Sequence, residues 1–394
     1  MYRKNLVFAA ACLGMLLFGV VFLSLGSVNN MLAARFKLDD SAIGTLTALL
    51  PFGILVGSLV FGPIVDRFGY RWMLIAASLI VGVALEGMAY AVSKRLVQLF
   101  VFAIGFGGGI LNGATNALAA DVSEGERGAK LSLLGVFFGI GALTMPSAIA
   151  ILSRTFSLST IVSAIGTLVL IPAAYCLAIA FPPPKQRAEK LSLASGFALL
   201  REPSFLFACL ALAVQSGMEG MSNDWTTRYF KNAVLAGQSF TERDAQLALV
   251  ALTGAMVVTR FALSSLLTRV NSRTVLLVSV GTTTCGAVLL TSTNNYHAAL
   301  LGPLLIGMGL AAIFPVVLGF VGDRYPQQSG AAFSTVFVLA LTGNMAINKT
   351  FGHVAHGYGV RQYPIMLLCL LVFSALLLLM VIKQFATRNP ENQK

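Results

Sequence analysis

Residues 62–74 read GPIVDRFGYRWML. An apolar run ends here at a short charged turn, and a second apolar run begins within a few residues. Gly62 and Gly69 permit a close helix approach and a tight turn. Asp66, Arg67 and Arg71 stand where the first run meets water. Further along, the pattern returns. Residues 264–276, SSLLTRVNSRTVL, place a similar basic turn after another apolar run, without the acid. Asp121 and the Glu126-Arg127-Gly128 turn are echoed in the same way by Asp323 and the Gln328-Ser329-Gly330 turn. The chain therefore reads as two related halves.

Composition says what the halves are made of. Of 394 residues, 57% are hydrophobic and only 11% are charged, whereas a soluble protein carries roughly 25% charged residues. That shortage leaves no polar shell for a large water-soluble core, which excludes a secreted, disordered or cytosolic protein. A membrane-spanning helix takes ~20 apolar residues, and charges and turn residues mark out twelve such spans. They lie near 5–34, 42–64, 72–93, 97–121, 129–153, 158–182, 204–230, 245–268, 273–292, 297–321, 331–354 and 363–385. The runs are continuous rather than alternating, which excludes a transmembrane β-barrel. Most connectors are very short. The exception is 183–203, a hydrophilic linker entered through Pro182, Pro183 and Pro184. The expected architecture is an all-α membrane protein with an N-terminal six-helix bundle (1–182), a cytoplasmic linker and a C-terminal six-helix bundle (204–394).

The net charge of +12 would suggest a nucleic-acid partner in a soluble domain. In a membrane protein it reads as loop charge that sets orientation, and the basic residues favour both termini on the cytoplasmic side of a bacterial inner membrane. Arg3 and Lys4 precede an apolar run without a small-residue cleavage site, so this segment is read as a retained first span. Cys12, Cys176, Cys209, Cys285 and Cys369 all fall in apolar runs and are read as packing residues. His297, His353 and His356 have no clustered cysteine or acid beside them. Neither a metal, a cofactor nor an enzyme's nucleophile and base is expected, and the chain is expected to act as a monomer in lipid.

Two parallel six-span repeats are a transporter signature, with the solute site near midplane. The spacing Gly62-x-x-x-Asp66-Arg67-x-Gly69-x-Arg71 resembles the loop motif of the major facilitator superfamily. The resemblance implies that superfamily's fold and a conformational gate in which Asp66 and Arg67 pair with Asp121 and Arg127. A charge cluster that forms in one state only biases a two-state rocking equilibrium.

A narrower resemblance runs through both halves. LTGAMVVTRF (252–261), Trp225, Phe314-Pro315, Gly343 with Gly352, Asn29-Asn30 and GILNGATNALAAD (109–121) resemble the fucose–proton symporter family. It implies proton-driven uptake of a monosaccharide or related polyol. The departures matter. Asn30 and Asn112 stand where that family has carboxylates, and Gly135 and Phe138 where it has polar sugar contacts. An asparagine accepts and donates hydrogen bonds but carries no proton. Either the chain is a facilitator, or the proton site has moved.

Charges inside spans are costly and mark cavities or pairs. Glu86, Glu219, Asp224, Arg260 and Lys349 are the candidates. Glu219 and Asp224 in span 7 fall at a similar depth to Lys349 in span 11, so an acid–lysine pair is expected there as a coupling element. Glu86 in span 3, a helix near lipid, is read as a protonated acid hydrogen-bonded to a neighbouring helix, with a part in coupling as the alternative. Arg260 lies near enough to the end of span 8 to reach the interface. Asn29, Asn30, Asn112, Asn116, Gln215 and Asn344 suit a polyhydroxylated solute, and Trp225 and Phe314 offer it flat faces. The same amides can instead join helices. The expected function is movement of a small polar solute, sugar or sugar-like, by alternating access, with a proton, sodium or no coupling ion. A proton-coupled exporter of amphipathic compounds and an organic-anion carrier using Lys349 and Arg260 remain as alternatives.

Overall fold

Lys37 ends the first helix. Its backbone adopts the left-handed region (φ 49°, ψ 47°) and returns its N–H to the Ala33 carbonyl, closing α1 (Lys4–Phe36). Two residues later the Asp39 carboxylate accepts from the Ala42 N–H at 2.8 Å, capping the start of α2 (Asp40–Ala89). Short polar stops of this kind recur. Ser157 caps α5 (Leu158–Leu168), Asn271 caps α9 (Ser272–Ser292), and Asn295 caps α10 (Tyr296–Arg324). Each side-chain oxygen satisfies an N–H that the helix itself leaves open.

The structure is a computed structural model that describes residues 2–122, 127–183, 197–232, 234–235, 238–266, 270–293, 295–325 and 329–386. The remaining long helices are α3 (Lys94–Val122), α4 (Arg127–Leu152), α6 (Leu170–Ala178), α7 (Pro203–Asn232), α8 (Glu242–Leu266), α11 (Ser329–Tyr358) and α12 (Tyr363–Ala386). A two-stranded antiparallel ribbon pairs Val234–Leu235 with Gln238–Ser239 between α7 and α8. The protein is an almost wholly helical, multi-pass membrane protein.

Among the described residues, eleven segments are long and apolar enough to cross a bilayer. Spans 2 and 3 are the two parts of α2, which bends at Gly69 (φ 78°, ψ 168°). That backbone position favours glycine because a Cβ there is crowded. Span 6 is divided at Val169 into α5 and α6. The twelfth expected span, α11, has ample length but falls outside the eleven. Asn344, Asn348 and Lys349 lie within it and lower its apolar character. Cys12, Cys176 and Cys209 are buried as expected of packing residues, whereas Cys285 and Cys369 are exposed.

Contacts divide the chain into two compact units. The first comprises Met1–Ala188 with Phe240–Val250, and the second comprises Glu189–Ser239 with Ala251–Lys394. Within the first unit, Leu249 at the start of α8 packs on Leu23 and Ala142. Phe138, which stands where sugar contacts were sought, instead joins a ring cluster with Phe18 and Phe22 at centroid distances of 5.5 and 5.7 Å. Gly135 has open space around it.

The seam between α2 and α3 shows how closely helices approach in this unit. Ser58 donates its hydroxyl to the Gly109 carbonyl at 3.3 Å. A Cβ at Gly109 would collide with the Ile54 carbonyl and stand 2.8 Å from the Ser58 nitrogen. Small residues let helices approach where lipid supplies no hydrophobic drive. Gly109→Val should therefore destabilise the detergent-solubilised protein by about 1–3 kcal/mol, read as a lower Tm. Gly135→Ala, with nothing nearby to strike, should leave Tm close to wild type.

Candidate functional site

Helix α7 carries most of the buried polarity of the second unit. Gln215, Glu219, Ser222, Asn223, Asp224 and Trp225 are all buried. In an apolar bundle such groups need partners, and neighbouring helices of the same unit supply them to Gln215, Glu219, Asp224 and Trp225.

Of the two acids expected at the depth of Lys349, Glu219 takes a different cation. Arg260 Nη2 donates to both oxygens of Glu219, at 2.9 and 3.0 Å. Glu219 therefore takes Arg260 of α8, and not Lys349, as its partner. The expectation that Arg260 reaches for the interface is corrected with it, since the guanidinium turns toward the middle of α7. The Glu219 side chain is 10% exposed and that of Arg260 is 32% exposed. One nitrogen of the guanidinium is spent on the carboxylate. Among the described residues its other N–H groups have no protein partner. Charge-assisted bonds of this length are strong, but the exposed side of the cation still has capacity for an anion.

Above this pair, amides join α7 to α11. Asn344 Nδ2 donates to the Ser216 carbonyl at 3.2 Å. Asn348 Nδ2 donates to Asn344 Oδ1 at 2.8 Å, and Trp225 Nε1 donates to Asn348 Oδ1 at 3.0 Å. Asn348 also hydrogen-bonds the Asp224 carboxyl. Gln215 Nε2 reaches the Leu310 carbonyl of α10 at 2.8 Å. Trp225 has no exposed surface and meets Phe351 edge to face, with centroids 4.8 Å apart. The flat face expected to meet a solute is thus spent inside the unit, and Gln215 and Asn344 serve as helix connectors. Phe314 stacks on Phe337 at 5.9 Å while remaining half-buried. Lys349 is half-buried beside Asn348.

The first unit holds its own polar groups. Asn29 is fully buried. Asn30 Nδ2 stands 3.4 Å from both oxygens of Glu242, in the first turn of α8. Gln246, one turn on, donates to Glu242 at 3.0 Å and to the Ser27 carbonyl at 2.7 Å. On α3, Asn116 Nδ2 donates to Asn112 Oδ1 at 3.0 Å and to its carbonyl at 2.9 Å. Both residues are half-buried. The Glu86 carboxyl accepts from Ser163 at 2.7 Å.

Of the expected gate, the side chains of Asp66, Arg67 and Arg127 lie outside the described residues. Tyr70 donates to Asp121 at 2.8 Å, and Arg71 donates to the Leu177 carbonyl at 2.6 Å. Gly62 lies within α2, and Gly69 forms its bend. The second unit has a comparable tyrosine–acid contact just past α10, where Tyr325 donates to Glu202 at 2.9 Å. Burial raises the Tyr325 hydroxyl above its ordinary pKa, and the neighbouring Glu202 raises it further.

Sequence reasoning passed over Asn348, Glu242 and Gln246. Asn348 follows Asn344 by four residues, as Asn116 follows Asn112 and Gln246 follows Glu242. That spacing puts both members on one helix face and is the signal that could have found them.

Comparison with known proteins gives this architecture its family. Residues 7–347 match the Major Facilitator Superfamily. An uncharacterised transporter of Sinorhizobium fredii, y4wD, is 26% identical over 83% of this chain and 85% of its own length. The 4-hydroxybenzoate transporter PcaK of Pseudomonas putida is 31% identical over 26% of this chain and 24% of its own. The crystal structure of the nucleoside transporter NupG superposes with a TM-score of 0.77 at 16% identity, covering 98% of this chain and 99% of that one. The chain belongs to the Major Facilitator Superfamily and is a transporter rather than an enzyme.

Proposed function

We propose that this transporter carries a small carboxylate-bearing solute together with a proton by alternating access. The observation that supports the reading is the half-engaged Arg260: an in-span guanidinium, one third exposed, with a single nitrogen committed to Glu219. A proton arriving on Glu219 neutralises the carboxylate and releases that nitrogen. The carboxylate of the solute then takes its place on Arg260. Proton and anion together add no net charge to the span, so neither has to be buried alone. Lys349, half-buried on α11, is a second cation for the same solute. A relative bearing the name of a 4-hydroxybenzoate transporter agrees with this chemistry. The excess of Lys and Arg on segments shared with the termini supports an inner-membrane protein with both ends in the cytoplasm.

A second reading, a neutral sugar, is favoured by one feature. Asn116 Oδ1 and Asn112 Nδ2 have no protein partner among the described residues, and this half-buried acceptor and donor suit a hydroxyl. The resemblance to fucose–proton symporters points the same way.

Uptake into proteoliposomes of radiolabelled hydroxybenzoates, aliphatic carboxylates and sugars separates the two. The anion reading expects carboxylate uptake that labelled sugars do not compete. Arg260→Gln should reduce that uptake by about a hundredfold, since truncating one partner of a buried charge pair costs about 2–5 kcal/mol. Sugar uptake untouched by Arg260→Gln would overturn it.

Glu219→Gln mimics the protonated acid. It should retain solute exchange at equilibrium while losing stimulation by an inward proton gradient. The Glu219→Gln/Arg260→Gln double variant should recover the Tm lost by Arg260→Gln alone, because no unpaired charge is left, yet should not recover uptake.

A further inference from the structure

Glu86, Ser163 and Thr167 meet in the first unit, apart from the groups assigned above. Glu86 lies in the last turn of α2, and its two partners lie on α5. Ser163 Oγ donates to Oε2 at 2.7 Å. Thr167 Oγ1 stands 3.0 Å from Oε1 and shares its one proton with the Ser163 carbonyl, 3.1 Å away. Oε1 is therefore only partly satisfied. Gly166 lets the carboxyl settle against α5, since a Cβ there would stand 3.1 Å from Oε1. Among the described residues no cation pairs with Glu86.

The surroundings are those of a bilayer-facing wall. Leu79 and Val83, which share the helix face of Glu86, are 45% and 64% exposed, and Leu168 is 59% exposed. Leu170, on the same seam, packs where Gly82 leaves room. A carboxylate here lies about one turn, ~5 Å, inside the end of its span, the depth at which lipid headgroups give way to acyl chains. A carboxyl group at a lipid-facing position calls for a donor or counter-charge to complete its hydrogen bonding. A primary ammonium brings that charge with three N–H donors, and its own acyl chains cover the apolar wall.

We propose that Glu86, held by Ser163 and Thr167, is a binding site for the primary ammonium headgroup of a bilayer phospholipid of the phosphatidylethanolamine type. A quaternary ammonium has the charge but no N–H to give to Oε1, so phosphatidylcholine should bind less well. A mere staple between α2 and α5 would not distinguish the two headgroups.

Native mass spectrometry of the purified full chain, mixed with equal amounts of the two lipids, tests this. Wild type should retain phosphatidylethanolamine over phosphatidylcholine by about tenfold, the worth of one charge-assisted hydrogen bond. Stepwise N-methylation of the headgroup should erode that preference. Glu86→Gln keeps an acceptor for one hydroxyl and offers an N–H to the other, which preserves the link to α5, and should abolish the preference. A photo-crosslinking phosphatidylethanolamine should label α2 or α5 of the wild-type protein, which localises the site even where the variant does not fold. Equal binding of both lipids by wild type, a preference that survives in Glu86→Gln, or labelling confined to other helices would overturn the proposal.

Discussion

An ionised group inside an apolar helix bundle must find a partner of opposite charge or a set of hydrogen bonds, because no bulk water is there to solvate it. Glu219 is where this constraint bears hardest. It lies near the middle of the most polar helix of the chain, and Arg260 of α8 meets it with one nitrogen on both oxygens. The arrangement fixes α7 against α8 within the second unit. It also leaves the rest of the guanidinium unspent. Structural pairing and the capacity to take up an anion reside in one side chain.

The amides obey the same rule in neutral form. Asn344, Asn348 and Trp225 form a chain of hydrogen bonds between α7 and α11, with Phe351 closing the far side of the indole. In the first unit Gln246 and Asn30 converge on Glu242. Each network satisfies polar groups that would otherwise weaken the bundle by about 1–3 kcal/mol apiece. The price is that side chains suited to gripping a sugar are already engaged.

How much of this could be read from the sequence depended on whether the information was local. The apolar runs marked the helices, and the glycine in Asp66-Arg67-Phe68-Gly69 marked the bend that divides α2 into two spans. Asp39, Ser157 and Asn271 sit just before helices as caps do. Partner choice was not local. Depth placed Glu219 and Asp224 at one level with Lys349, but depth says nothing of how a helix is rotated, and rotation turned Glu219 toward α8. Trp225 shows the same gap: its indole is amphipathic in any context, and only the packing of Phe351 and Asn348 around it shows that both its face and its N–H are occupied. Glu242 opens a helix, where an acid is commonplace, so its contact with Asn30 could not be foreseen from spacing.

The account rests on Glu219 exchanging Arg260 for a proton when an organic anion arrives. Infrared difference spectroscopy of the reconstituted protein, recorded as 4-hydroxybenzoate is added, observes that exchange directly. The account expects loss of a carboxylate band and gain of a protonated-carboxyl band, both absent from the Glu219→Gln protein. A difference spectrum in which the anion binds while the Glu219 carboxylate band stays in place would contradict it.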